Sequence, residues 1–322
     1  MKFKNVAVVM GGLTSEREVS LRSGAAIAKA LREKNYNVTE IDMGEPSALR
    51  FAPEIQAAFL ILHGGEGENG GVQKILDAMG MPYTGSGAEA SRVSMDKIAS
   101  KKIFDARGIP TAAWEVRENG HSCPFITTTD KNVRSPLETD KNVRSPLGFP
   151  LVVKPPREGS SVGVIRVDKP EDLEDAIRTA AKFDERGEVI LEAYIPGREW
   201  AISVLGRRVL PPVEIRAPGG WYDYTAKYDP TRGTQYVFPD DEALIAKCQE
   251  IALDVFDALG CRGLGRVDFR ITDEGEPFVL EMNTLPGFTA TSLFPKAAAR
   301  AGISFADVCA EIMELAACDA TV

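Results

Sequence analysis

The chain has 322 residues, 44% of them apolar and 26% charged, and a formal net charge of −9. That length spans about two domains, with three small ones possible, and the composition is that of an ordinary globular protein that buries its core without staples. The acidic balance argues against a nucleic-acid backbone or an anionic membrane as main partner, although a local basic pocket for a small phosphate fits inside an acidic whole.

The opening Met1-Lys2-Phe3-Lys4-Asn5 is basic, but the apolar run behind it stops at Met10 before two glycines, and Glu16, Arg17 and Glu18 follow. A signal h-region is longer, and no window approaches the length of a membrane span, so a cytoplasmic protein is expected. Residues 6–10 read as a buried strand turned by Gly11-Gly12. Ser15-Glu16-Arg17-Glu18 then reads as a capping box opening a helix to about residue 34. Strands are predicted at 37–42 and 57–62, the second running into His63 and a segment rich in glycine, with a helix near 72–79. Such alternation implies an open parallel sheet with ligand groups at the carboxyl ends of its strands. A dinucleotide turn would need G-x-G-x-x-G. Here the turn is Gly11-Gly12-Leu13-Thr14-Ser15-Glu16, and a carboxylate at the helix mouth repels a pyrophosphate and suits an ammonium group.

A helix is predicted over 94–107, ended by Gly108-Ile109-Pro110. The polar stretch 115–148 holds the one internal repeat: residues 129–137 recur at 139–147. Two copies are too few for a solenoid, and the duplicate reads as a loop insertion, since surface loops absorb added length cheaply. Beyond it the pattern turns to α+β. Strands are expected at 149–155, 162–168, 189–195 and 200–205, and helices at 171–182 and 241–259. Residues 216–239 are aromatic and loop-like, a hairpin joins 265–271 to 277–283, and a last helix starts after Ser304. The five cysteines are odd in number and lack zinc-ligand spacing, which fits buried thiols in a reducing compartment.

The hairpin is the most informative piece. Val267, Phe269 and Ile271 share one face with Phe278, Leu280 and Met282 across from them, and Arg266, Asp268, Glu281 and Asn283 lie on the other. A two-residue loop at Glu274-Gly275 sets Asp268 opposite Glu281 and Arg266 opposite Asn283. Facing carboxylates repel unless a positive charge lies between them, and two acids with an amide suit Mg²⁺ shared with a ligand's phosphates. The bland alternative is a solvated polar face balanced by its own arginines. Lys154 followed by a Gly/Ser loop (Gly159, Ser160, Ser161, Gly163) either turns amides onto an anion or is an ordinary turn, and it is no Walker A sequence. Lys97 alone reads as a solvent-facing helical lysine. Glu192 and Glu199 either hold a ribose and an adenine amine or are simply exposed. His63 stands at a strand's carboxyl end. No Ser-His-Asp order or Cys-His pairing is present to suggest a covalent hydrolase.

Taken in order, these segments resemble the D-alanine–D-alanine ligase family of the ATP-grasp superfamily over nearly the whole chain. The likeness runs through Gly11-Gly12, Glu16 to Ser20, His63-Gly64, Gly67-Glu68-Asn69-Gly70, Tyr83 to Gly87 and Ser94-Met95-Asp96-Lys97. It continues through Val153-Lys154-Pro155, Gly159 to Gly163, Tyr222-Asp223-Tyr224, Lys227-Tyr228, Gly265 to Asp268, Glu281 to Thr284, Pro286-Gly287 and Ser292-Leu293. Asn69, Lys74 and Ala193 depart from the family's usual Asp, Gly and Lys.

The resemblance implies an α/β fold, α+β in its later domains. It would comprise an N-terminal open parallel-sheet domain (1–97), a small central domain (98–190, with the repeat insertion 129–148) and a C-terminal domain (191–322) with a lid loop at 216–239. ATP would lie between the last two. Lys97 and Lys154 would meet its phosphates under the loop containing Gly159 and Ser161, with Glu192 and Glu199 on adenine and ribose and Lys227 helping from above. Two Mg²⁺ ions, with Mn²⁺ as a substitute, would be held by Asp268, Glu281 and Asn283. A first D-alanine would place its ammonium on Glu16 near His63 and its carboxylate on the γ-phosphate. The amine of a second, held by Ser292 and Leu293, would attack the resulting acyl phosphate, with Arg266 and the Gly287 N–H stabilising the oxyanion. Tyr228, linked through Ser160 to Glu16, would accompany dipeptide rather than depsipeptide formation. The resemblance also implies a homodimer and a role in peptidoglycan precursor synthesis. The rivals are a D-alanine–D-lactate or D-alanine–D-serine ligase and a non-catalytic nucleotide-binding module.

Excising residues 129–138 leaves one copy of the repeat. A urea titration should then show the unfolding free energy changed by less than about 1 kcal/mol, whereas a larger loss would mean that the duplicate is structural.

Overall fold

The computed structural model describes residues 1–14, 16–118, 121–122, 147–222, 229–289 and 291–319. Strand β1 (Asn5–Gly11), buried after its first residue, pairs in parallel with β2 (Asn37–Met43) and β3 (Ala57–Leu60) in the order β2-β1-β3. The intervening helix α1 (Arg17–Glu33) buries Ser20, Ser23, Gly24, Ile27, Ala28 and Leu31, a stripe at helical spacing. The expected capping box does not open it. Its N-cap is Glu16, whose side chain makes no capping bond, and Ser15 lies outside the described residues. Gly11 is required at the turn: its φ is +93°, and a Cβ there would stand 2.3 Å from Asp42 Oδ1.

Helix α2 (Gly71–Ala78) follows the glycine run. The single helix expected over 94–107 is two, α3 (Ala88–Met95) and α4 (Lys97–Arg107). Asp96 between them has extended backbone, and its Oδ1 accepts the N–H groups of Ile98 and Ala99 at 3.0 and 3.1 Å. An Asp that caps a new helix is a poor interior residue for an old one.

The second sheet contains β4 (Trp114–Glu118), β5 (His121–Ser122), β6 (Leu151–Lys154), β7 (Ile165–Val167) and β8 (Glu188–Ala193), antiparallel in the order β5-β4-β8-β6-β7. Helix α5 (Leu173–Ala180) packs on it, and Leu151, Val153, Val167, Leu173, Ile177 and Leu191 form a core of its own. The strand expected at 162–168 shrinks to its last part because the Gly/Ser loop runs to Val164. Both copies of the repeat, except Leu147, lie outside the described residues.

The third sheet runs β12 (Gln235–Val237), β11 (Val213–Arg216), β9 (Arg198–Leu205), β13 (Leu264–Ile271), β14 (Pro277–Asn283), with β10 (Arg208–Val209) on the end of β9. Residues 235–237, expected in a loop, are therefore strand. Helix α6 (Glu242–Ala258), capped by Asp241, covers one face, and α7 (Leu293–Arg300) and α8 (Phe305–Glu314, capped by Ser304) close the fold. Among the described residues no helix is long and apolar enough to cross a membrane, and Cys248, Cys261, Cys309 and Cys318 are free thiols.

The hairpin pairs Asp268 with Glu281 and Arg266 with Asn283, as its sequence indicated, but by another route. Its loop holds three residues rather than two: Thr272 N–H bonds Glu276 O at 3.0 Å, and Gly275 takes a left-handed φ of +85°. That shifts the pairing by one residue, so Phe269 faces Val279. A bulge at Leu280 then restores it. The faces change accordingly. Val279 and Met282 are buried in the core, whereas Leu280 joins Glu281 on the cavity side.

The first and third sheets share one core, and Phe288 is its junction. Fully buried, it stacks edge-on against Phe59 of β3 and lies 5.3 and 5.7 Å, ring to ring, from Phe294 of α7 and Phe305 of α8. Phe288→Ala is expected to cost about 3–5 kcal/mol of unfolding free energy in a denaturant titration. A cost under about 1 kcal/mol would mean that the two sheets do not depend on this contact.

Candidate active site

Two cavities meet along β13 and β14. The larger, about 710 Å³, is lined by Glu16, His63, Gly287, Ser292 and Leu293; the smaller, about 130 Å³, by Val152, Lys154, Glu192, Ile195, Glu199, Trp221 and Leu280. Lys97, Gly159, Ser160, Arg266, Glu281 and Leu293 line both. The two cavities thus open onto a common rim of two cations, Lys97 and Arg266, two acids, Glu158 and Glu281, and a Gly/Ser loop.

At the mouth of α1, Glu16 Oε1 accepts a 2.7 Å hydrogen bond from Ser160 Oγ. Ser160 and the next residue, Ser161, sit at φ +51° and +59°, a left-handed pair rare for residues with a Cβ. Backbone of this kind persists where its surroundings over-determine it, typically at binding loops. The loop base is pinned by Arg157, whose guanidinium meets Asp96 at 3.0 Å, Asp184 at 2.8 Å and Glu188 at 2.5 Å. The Lys97 N–H also bonds Pro156 O at 2.9 Å, and its Nζ donates to Glu158 O at 2.7 Å. Gly159 accepts the Val162 N–H and closes the turn.

On the rim, Arg266 grips Asp268 with two bonds of 2.7 and 2.8 Å, and Asn283 Nδ2 donates to Asp268 Oδ2 at 3.0 Å. Lys97 Nζ stands 3.1 Å from Glu281 Oε2. Positive charge thus reaches Asp268 from the hairpin's own Arg266 and Glu281 from Lys97 of α4, and Lys97 is buried rather than solvent-facing as its isolation suggested. Among the described residues no group of three or more His, Cys, Asp or Glu side chains is placed to hold a metal ion by itself. The donor set is two carboxylates and one amide, hard oxygens of the kind that hold Mg²⁺ when phosphates complete its shell.

Glu192 is not exposed. It is buried on β8 between two lysines: Lys154 Nζ lies 2.7 Å from its Oε2 and Lys101 Nζ 3.2 Å from its Oε1. Glu199 faces Arg270 Nη1 at 3.5 Å, and Arg270 also donates to Ile195 O and Gly197 O at 3.1 and 2.8 Å, fixing the turn between β8 and β9. His63 is a buried residue in the wall of the larger cavity, with Nδ1 3.8 Å from Glu68 and, among the described residues, no hydrogen-bond partner for Nε2. Ser292 caps the start of α7, and its Oγ lies 3.3 Å from where a Cβ on Gly287 would stand. Lys227 and Tyr228 lie outside the described residues, and so does residue 290.

Sequence reasoning passed over Lys101, Arg157 and Leu280. A signal for the first was present: Lys97 and Lys101 are one helical turn apart, so both face the same side of α4. Leu280 could be placed only with knowledge of the bulge.

Burial pushes the Glu192 carboxyl up, but the charges of Lys101 and Lys154 pull it further down, and the net shift is below its ordinary value. A depressed carboxylate contributes stability that is present above the unfolded pKa, near about 4.3, and is lost as the pH falls through the lower folded value. Urea titrations from pH 7 down to pH 3 should show a shallower acid loss for Glu192→Gln than for the parent. Equal slopes would remove Glu192 from the acid transition.

A family model described as "D-ala D-ala ligase C-terminus" matches residues 104–314. Relatives named D-alanine--D-alanine ligase include one from Desulforamulus reducens, 43% identical over 97% of this chain and 98% of its own. Another, from Anaeromyxobacter sp. strain K, is 44% identical over 98% and 97%. Two structures of the D-alanine--D-alanine ligase of Bacillus anthracis, one of them complexed with ATP, align over 97% of both chains. The TM-scores are 0.80 for the ATP complex and 0.82 for the other, at 33% and 36% identity.

Proposed function

The chain belongs to the D-alanine–D-alanine ligase family, and on that premise we propose that it joins two D-alanines at the expense of ATP, through an acyl phosphate, releasing ADP and phosphate. The observation that carries this reading is the common rim. A cavity that holds the buried Lys154 opens, across Lys97, Arg266 and Glu281, into a second cavity that carries the Glu16 carboxylate, hydrogen-bonded to Ser160 of the shared rim. Phosphoryl transfer from a nucleotide in one to a small zwitterion in the other needs that connection.

In this reading the base lies against Leu280, Ile195 and Trp221, with Glu192 near its amine and Glu199 near the ribose. Lys97, Lys154 and the loop of Gly159 and Ser161 meet the phosphates. The first D-alanine puts its ammonium on Glu16, held in place by Ser160, with His63 behind it, and presents its carboxylate to the γ-phosphate. The amine of the second then attacks the acyl carbon. Arg266 and the Gly287 N–H face the oxyanion, a preorganised charge that needs no rearrangement during the step. The carboxylate of the second D-alanine lies at Ser292 and Leu293, where the first N–H groups of α7 point outward. Asp268, Glu281 and Asn283 would hold two Mg²⁺ ions, with Mn²⁺ as a substitute, which supply charge neutralisation for the phosphates. Lys227 and Tyr228 belong to a lid between β11 and β12, shorter at both ends than the 216–239 expected, and Tyr228 favours an amine over a hydroxyl as second nucleophile. The three sheets serve as the N-terminal, central and C-terminal domains. A cytoplasmic homodimer feeding peptidoglycan synthesis completes the proposal.

Phosphate release should require ATP, Mg²⁺ and D-alanine together, and D-lactate or D-serine should not replace the second D-alanine. Glu281→Gln should lower turnover by about 100-fold or more. ATP binding without D-alanine-dependent turnover would refute the enzyme reading, and turnover with D-lactate as acceptor would refute the dipeptide assignment.

A further inference from the structure

Lys101 is fully buried and lines neither cavity. Its Nζ has three neighbours: Glu192 Oε1 at 3.2 Å, Thr111 Oγ1 at 2.5 Å and Ala112 O at 3.4 Å. The Thr111 hydroxyl donates its own hydrogen to Val279 O at 2.8 Å, so toward Lys101 it accepts. Two hydrogen-bond acceptors and one carboxylate oxygen at ion-pair distance surround the nitrogen. That shell suits a charged ammonium and not a neutral amine, whose lone pair would face an oxygen. Burial lowers the Lys101 pKa, and Glu192 opposes that shift.

The other oxygen of Glu192 takes Lys154 at 2.7 Å, so one buried carboxylate stands between two ammonium groups and the trio carries a surplus positive charge. Of the two lysines only Lys154 reaches the smaller cavity. Without Lys101 the same carboxylate would pair with Lys154 alone, and a buried acid with a single base holds it tightly. We infer that Lys101 is a positioning residue of the nucleotide site: it compensates Glu192 from behind and leaves the charge of Lys154 available to phosphate. The inference rests on the reading of the smaller cavity as the nucleotide site.

The test compares ADP with adenosine on the full-length protein by calorimetric titration, adenosine being measured by competition. Lys101→Met should weaken ADP by about tenfold or more, the size of one lost charge-assisted contact, and leave adenosine within about threefold. Adding Glu192→Gln to Lys101→Met removes the acid that captures Lys154, and the preference for ADP over adenosine should return toward the parental ratio. This double variant restores the single surplus positive charge of the parental trio, now carried by Lys154 alone, so it decides the matter even if Lys101→Met alone does not fold: a ratio far below the parental one overturns the inference. An ADP affinity untouched by Lys101→Met, or equal losses for ADP and adenosine, would overturn it as well, the second by assigning Lys101 a merely structural role. A parent for which the diphosphate adds nothing to adenosine affinity would overturn the nucleotide reading, and the inference with it.

Discussion

Buried charge is the constraint around which the rest of the structure is arranged. A cavity that attracts an anion must keep cations out of water, and an isolated buried cation sheds its proton or unfolds its host. Here the cations are kept by acids. Arg266 is held by Asp268, Lys97 by Glu281 and Lys154 by Glu192, with separations of 2.7 to 3.1 Å. These acids and bases come from β8, β13, β14, β6 and α4, so the positions of two sheets and a helix are tied together through the charges. On the proposed reading, a triphosphate with its cations would exchange partners with pairs already in place: Lys97 and Lys154 would turn to phosphate, and Asp268 and Glu281 would hold the metal. The protein then needs little reorganisation, which is the condition for electrostatic preorganisation to accelerate a reaction.

Apolar burial assigns the layers their roles. The first and third sheets close over a common core, with Phe288 between β3, α7 and α8, while the second sheet packs α5 against a core of its own. The walls of the larger cavity thus come mainly from one fused body. The Gly/Ser loop reaches across to it from the second sheet through Ser160 to Glu16, and Arg157 ties its base to the cap of α4. Three carboxylates converge on that single guanidinium, a geometry a lysine could not serve because its point charge lacks the planar fork.

Much of this was legible in the sequence because local chemistry and global fold agree. The buried run of β1, the caps at Asp241 and Ser304, and the alternation along β13 each have one stable solution. The failures have physical causes. Asp96 was read as helix interior since its neighbours are good helix formers, yet its side chain is better used as a cap. Strands β4, β10, β11 and β12 are two to five residues long, too short for a pattern to distinguish them from loop until a neighbouring strand supplies hydrogen bonds. The pairing of Asp268 with Glu281 came out right through two offsets that cancel, a three-residue loop and a bulge, and the assignment of Phe278 and Leu280, in place of Val279, to the core face betrayed them. Site residues were found by chemical type, but their partners were not. Whether Glu192 meets solvent or two lysines depends on strand order, which one sequence does not state.

The bulge at Leu280 has an evolutionary corollary. A regular ladder alternates, so it offers the cavity one side chain for every two residues; the extra residue here gives two in succession, an aliphatic one and an acid. Because Leu280 is surplus to the pairing on either side, its bulk can drift without dragging Glu281 or Asn283 off station. On the proposed reading, preference for one base over another and competence in the reaction can therefore diverge separately, although they are encoded by adjacent codons.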